Sequence, residues 1–250
     1  MAVRLDELVA VADSLLNVGA FDEGAPSNGL LVRAAEGVRR IGASVNTSSE
    51  AIEAAHAAGV DLLLVHHPSW PHIDLGLQLK KEELLVSYGI SLYGAHASLD
   101  CATGIGTADA LGELLGVATL GRFADYAGGQ AGIHGTVHGS FEEFTARLEG
   151  AIGTRARAKR HSPAFGHIAI VAGGGGLTTW LEEARALGAD TYVTGEGSMF
   201  TDLYAREARL NLVLGTHYAT EAPGIKKLAG ELSRRLGVDW VFLEEPDPSL

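Results

Sequence analysis

Short apolar runs of strand length alternate with stretches of helical periodicity along most of this chain, and that alternation leaves few architectures open. Leu5, Leu8, Val9, Ala12, Leu15 and Leu16 recur at helical spacing and predict an opening helix that stops by Gly19. A strand SNGLLV (27–32) follows, then strand RRIGASV (39–45), helix SSEAIEAAHAAG (48–59), strand VDLLLV (60–65), helix LGLQLKKEELLVSYG (75–89), strand ISLYGAH (90–96) and helix TADALGELLG (107–116). The pattern resumes with HIAIVAG (167–173), LTTWLEEARALG (177–188), ADTYVTG (189–195), FTDLYAREA (200–208), LNLVLGT (210–216), a helix over 223–237 and a last strand VDWVFLEE (238–245). Strands joined through helices imply mostly parallel sheets and an α/β fold. The 33 glycines are roughly twice the average usage, as tight strand-to-helix turns require.

The two alternating runs resemble each other. A shift of 129 positions pairs Glu53, Ala55, Ala57, Gly59 and Asp61 with Glu182, Ala184, Ala186, Gly188 and Asp190. A shift of 121 places Gly94, His96 and Asp100 on Gly215, His217 and Glu221, so a strand ending in G-x-H-x-x-x-acid occurs twice. This predicts an internal duplication giving two similar α/β lobes, residues 1–121 and 122–250. The second half includes a segment, 122–160, outside the repeat. It reads as a strand GIHGTVHG (132–139), a helix opened by the capping box of Ser140 and Glu143, and a basic loop TRARAKR (154–160).

With 19 Lys+Arg against 31 Asp+Glu the formal charge is −12, which argues against a nucleic-acid or membrane surface. One cysteine, Cys101, excludes an intrachain disulfide framework and a Cys-based zinc cage, and fits a reducing, cytoplasmic setting. Asp6 and Glu7 stand where a secretion signal would carry its positive end. The longest stretch without Asp, Glu, Lys or Arg, 161–181, contains Pro163 and five glycines and predicts no membrane span.

In open α/β sheets ligands bind at the carboxyl ends of the strands. The residues there are His66 and His67 after VDLLLV, His96 and Asp100 after ISLYGA, Glu196 after DTYVTG, and His217 and Glu221 after LNLVLGT. Imidazole and carboxylate without thiolate is the donor set of catalytic Zn, Fe, Mn, Co or Ni sites. So many donors exceed the needs of one ion and predict two divalent ions per chain, bridged by an acid. His66 and His67 are placed just beyond the strand, where Pro68 ends it, so that each reaches a different ion. Pro223 places the next helix start after Glu221.

The remaining histidines have ordinary readings: His134, His138, His161 and His167 as loop residues, His56 on a helix surface and His72 in a loop. The glycine run 173–176 lacks the lysine of a P-loop, and Thr178 replaces the last glycine of G-x-G-x-x-G, which favours a tight turn over a phosphate cradle. Trp70 is suited to shielding the HH loop or stacking on a base, and RARAKR (155–160) to solvent first, or to a triphosphate or an acidic neighbour.

The motifs SNGLLV, LLLVHHPSW, LYGAHASLD, VAGGGG, YVTGE and GTHYATE together resemble the type 2 homologues of GTP cyclohydrolase I, the Nif-three-like proteins, in their short bacterial form. The resemblance implies two metal ions between two α/β lobes, with His66, His67, Asp100, His217 and Glu221 as ligands. It places His96 and Glu196 at the same site as catalytic or substrate-facing groups. It also implies homohexameric rings, and a hydrolase acting on a nucleotide-like small molecule, GTP being suggested by the family name. The same donors would equally serve a metal-storing, metal-delivering or ring-scaffold protein without turnover.

Overall fold

The structure, a computed structural model, describes residues 2–248. Its first half runs β1 (Val3–Arg4), α1 (Leu5–Leu16), β2 (Asn28–Val32), β3 (Gly37–Val38), β4 (Arg40–Asn46), α2 (Ser49–Ala57), β5 (Leu62–His67), α3 (Pro71–Asp74), α4 (Leu77–Tyr88), β6 (Ser91–Ala95), α5 (Ala97–Asp100) and α6 (Thr107–Leu114). The rest runs β7 (Ala118–Tyr126), β8 (Gly129–Thr136), α7 (Phe141–Ile152), β9 (Arg157–Lys159), β10 (His167–Val171), α8 (Thr178–Ala186), β11 (Thr191–Thr194), α9 (Met199–Glu207), β12 (Asn211–Leu214), α10 (His217–Leu236) and β13 (Asp239–Phe242). The α/β class read from the alternation is what forms.

Backbone contacts group Met1–Ala102 with Ile225–Pro246 as one unit, and Thr103–Gly224 with Asp247–Leu250 as the other. This differs from the contiguous division at 121/122. The reason is pairing: β13, the last strand in sequence, adds in parallel to β4, with Trp240 opposite Ile41, and so belongs with the first unit.

In the first unit the sheet order is β13-β4-β5-β6-β2, parallel except for β2, which runs antiparallel to β6. Leu62, Leu63, Leu64 and Val65 of β5 are wholly buried, as expected for a central parallel strand covered on both faces. Leu63 and Val65 pack with Ile52, Ala55, Leu85 and Leu92, each large aliphatic side chain contributing about 1.5–3 kcal/mol by burial. Helix α2 starts where it does because the Ser48 side chain accepts from the Ala51 N–H.

In the second unit the order is β7-β8-β10-β11-β12-β9, with β10, β11 and β12 parallel and the outer strands antiparallel. Its core joins Leu111 and Ile133 to Phe144, Ile168, Ile170 and Val193. The capping box of Ser140 and Glu143 opens α7 as the sequence predicts.

The repeat has a local counterpart in each unit. Helices α2 and α8 start 129 residues apart, at Ser49 and Thr178. Asp61 accepts from the N–H groups of Arg39 and Arg40 at the start of β4; Asp190, its partner in the sequence alignment, accepts from those of Gly166 and His167 at the start of β10.

Several local expectations are corrected. His134 and His167, read as loop residues, lie in β8 and β10, and His72 lies in α3. Strand β5 runs through His67, which pairs with Asn46, so the two histidines close the strand rather than follow it. Residues 157–159 of the basic loop form β9, antiparallel to β12. Helix α10 starts at His217 with Pro223 inside it, because the Thr216 hydroxyl accepts from the Ala219 N–H and caps the helix ahead of the proline. The strand β7 was not legible in the sequence. Its hairpin with β8 turns on Ala127 and Gly128, both at positive φ, where asparagine-glycine is the recognisable signal.

Candidate metal centre

The carboxyl edge of the first unit's sheet gathers three histidines. His66 and His67 end β5, and His96 follows β6 and leads into α5. One donor atom from each lies within 4.8 Å of the others, and the ring centroids are 4.7 to 5.6 Å apart. Asp100, at the end of α5, places Oδ1 3.6 Å from His66 Nε2. His66 is wholly buried, whereas the His96 side chain is 17% exposed, so one face of the group meets solvent.

Each ring is fixed through the same nitrogen. His66 Nδ1 donates to the Ala95 carbonyl at 2.7 Å, His67 Nδ1 to Asn46 Oδ1 at 2.8 Å, and His96 Nδ1 to Glu23 Oε1 at 2.5 Å. With the proton held on Nδ1, the lone pair of the neutral ring is on Nε2. This is the outer-shell arrangement of metal-ligating histidines. Burial alone would raise the Glu23 carboxyl, but the His96 imidazole and the Asn28 amide outweigh it and hold it below its usual value. Asn28 also accepts from the backbone N–H groups of His96 and Ser98, fixing the turn itself. Trp70 closes one side, its ring edge-on to His96 at 5.0 Å and its indole N–H on the Ser27 hydroxyl.

The second unit builds a smaller group at its own carboxyl edge. His217 and Glu221 lie one turn apart in α10, with His217 Nε2 3.0 Å from Glu221 Oε1. His217 Nδ1 is 2.7 Å from Glu196 Oε1, so Glu196 serves here to orient the imidazole. Glu221 is 3% exposed while the Glu196 side chain is 57% exposed, which leaves Glu196 facing solvent. Burial works against a charged His217, but Glu221 and then Glu196 more than compensate and raise it to about 9.

The glycine run is what lets backbone approach this pair. A Cβ on Gly173, which has φ +62°, would lie 1.9 Å from Glu221 Oε1. The Gly173 N–H donates to the Thr220 hydroxyl and its carbonyl accepts from the N–H groups of Gly195 and Glu196. At Gly173 both backbone groups are therefore committed to the fold.

The sequence-predicted donors thus fall into two sets: His66, His67, His96 and Asp100 in one unit, Glu196, His217 and Glu221 in the other. His96, expected as a catalytic group, stands among the donors. Glu23, Asn28 and Asn46 were missed, although Asn28 and Asn46 lie on the same strand edge that pointed to the histidines. The chemistry fits a divalent borderline ion: imidazole and carboxylate donors, no thiolate, and an orienting acceptor behind every ring.

The sequence profile of the family described as Duf34/NIF3 (NGG1p interacting factor 3) matches residues 3–248. The chain belongs to this family. A relative from Deinococcus radiodurans named "GTP cyclohydrolase 1 type 2 homolog" is 32% identical over 259 residues, covering 96% of this chain and 93% of its own. Among solved structures, "Structural genomics, protein ybgI, unknown function" superposes with a TM-score of 0.88 at 28% identity, covering 98% of this chain and all of that one. "Reduced HcgD from Methanocaldococcus jannaschii" superposes with a TM-score of 0.82 at 27% identity, over 98% of this chain and 99% of its own. The resemblance read from the motifs is borne out across the chain. No helix among the described residues is long and apolar enough to cross a membrane.

Proposed function

We infer that this Duf34/NIF3 protein is a dinuclear metal-dependent hydrolase of a nucleotide-like small molecule, with His66, His67, Asp100, His217 and Glu221 as ligands and His96 beside them. The observation that carries this reading is the shared orientation of the strand-end rings: His66, His67 and His96 are each held through Nδ1 by an oxygen acceptor, which leaves Nε2 as the donor, and His217 meets Glu196 through the same nitrogen. Rings serving only to pack would have no need of this common orientation.

Divalent ions bound by these donors would supply Lewis acidity, lowering the pKa of water from 15.7 toward ~7 and polarising the bond under attack. The chain's own residues do the rest. Glu23 and Asn46 hold the imidazoles in register, and Trp70 excludes water from the side of His96. Glu196 keeps His217 aligned and, being exposed, is placed to meet an incoming substrate. Relatives carry GTP cyclohydrolase in their names, so GTP is the first substrate to try. We assign the same protein a homohexameric assembly, to be read by light scattering.

The test is elemental analysis of the purified protein beside turnover on a nucleotide panel containing GTP, with the His66→Ala/His67→Ala variant as control. About two ions per chain, with turnover lost in the variant, support the hydrolase. Bound ions with no turnover favour storage, delivery or a ring scaffold, and absence of metal overturns both.

A further inference from the structure

A cavity of about 470 Å³ opens in the second unit beside His217, lined by Arg155, Arg157, Glu196, Thr216 and the glycines at 195 and 197. Its cationic side is set by strand pairing. Strand β9 runs antiparallel to β12 with Arg157 opposite Leu214, the last residue of that strand. Two residues back along the same edge, Arg155 comes level with the turn through Thr216 that leads into His217. Both arginines line the same cavity.

The basic segment is not uniformly available. Lys159 pairs with Asp202 at 2.8 Å and Arg160 with Glu142 at 2.7 Å, whereas Arg157 reaches Asp202 only at 3.5 Å. Arg155 enters no ion pair among the described residues. In a chain of net charge −12, two converging guanidinium groups at the mouth of a cavity are a local reversal of sign. The one carboxylate in the lining, Glu196, is hydrogen-bonded to His217. The 195–197 turn also lines the cavity, with Glu196 the one residue of the three to carry a side chain.

We propose that this cavity is an anion subsite in which Arg155 and Arg157 grip a phosphate group of the substrate. Guanidinium forks match phosphate oxygens two at a time, and the volume falls within the ~300–1,000 Å³ range of small-molecule sites. The inference rests on the hydrolase reading only in naming the reacting centre: a phosphate held here leaves the rest of the molecule beside Glu196 and His217. The substrate class narrows to phosphorylated small molecules, and a nucleoside without phosphate is excluded as a good substrate.

Calorimetric titration of inorganic pyrophosphate into the protein as purified, and again after chelator treatment, tests this. Binding should weaken at least tenfold in Arg155→Gln, less in Arg157→Gln, whose charge Asp202 shares, and only in part in Arg155→Lys, which keeps the charge but not the fork. Metal content, measured on the same samples, should be unchanged in all three variants. Pyrophosphate affinity equal in wild type and the Arg155→Gln/Arg157→Gln double variant would overturn the subsite, as would malonate binding as tightly as pyrophosphate. Arginine-dependent binding by a protein that holds no metal would sink the hydrolase and leave the subsite standing.

Discussion

His67 Nδ1 lies 2.8 Å from Asn46 Oδ1, and the Asn46 amide is itself held from the far end of the chain. Glu245 Oε1 is 3.4 Å from Asn46 Nδ2 and accepts from the Asn46 backbone N–H at 3.2 Å, while Ser44 and Ser48 donate to the same carboxylate. The carboxylate can only accept, so the amide turns its NH₂ toward Glu245 and its oxygen toward His67. The ring therefore keeps its proton on Nδ1. Asn46→Ala removes the acceptor without touching a proposed ligand. It should weaken metal binding about 10–100-fold, read by competition with a chromophoric chelator, and an unchanged affinity would mean that the β5 backbone alone orients the ring.

Gly173 fixes the other donor pair by what it lacks. Gly173→Ala places a methyl group against Glu221 and puts a β-carbon on a residue at φ +62°. The expected loss exceeds about 1 kcal/mol of stability, seen in denaturant titration, with a fall in metal content as Glu221 is displaced. Gly174→Ala is the control, since its Cβ would make an ordinary 3.5 Å contact with His217 Cε1. Equal effects of the two substitutions would contradict the close-approach account.

What was legible in the sequence follows from which signals are local. Strand-helix alternation, the Ser140 cap and the donors at strand ends are written in neighbouring residues, and all of these elements form. Strand ends were misplaced by one or two residues at His66 and His67, because periodicity does not register the Asn46–His67 pair that extends β5. The proline signal at 223 lost to the Thr216 cap, which stabilises a start the proline does not forbid. The Glu245–Asn46–His67 relay was illegible, since it joins residues about two hundred positions apart with no motif between them. Strand β9 was likewise hidden: a run of arginines reads as solvent-exposed, and only pairing with β12 makes it a sheet edge.

Asp61 offers a pH test away from the donors. Burial works against its charge, but the Arg39 guanidinium and the backbone N–H groups of Arg39 and Arg40 outweigh it and lower its pKa below 3.8. Because the folded carboxyl titrates below the unfolded one, its contribution to stability is complete above pH 3.8 and is lost as pH falls through the folded value. Asp61→Asn should destabilise the fold at pH 7, and the gap from wild type should close below about pH 4. Denaturant midpoints across pH 3 to 7 provide the measurement; a gap that stayed constant to pH 3 would rule out the carboxylate as its source.

Thr220 joins the glycine turn to the helix that carries His217 and Glu221. Its wholly buried hydroxyl accepts from the Gly173 N–H at 2.9 Å and donates to the Thr216 carbonyl one turn earlier at 2.9 Å. Thr220→Val keeps the shape and deletes the acceptor, leaving a buried backbone N–H unsatisfied at a cost of about 1–3 kcal/mol. Thr220→Ser keeps the hydroxyl and loses one methyl group, so it should retain most of the stability. The ordering of the two variants is the informative result. If the valine variant were the more stable, packing rather than the Gly173 hydrogen bond would hold the turn, and the glycine run would have to be fixed by its own carbonyl bonds to Gly195 and Glu196.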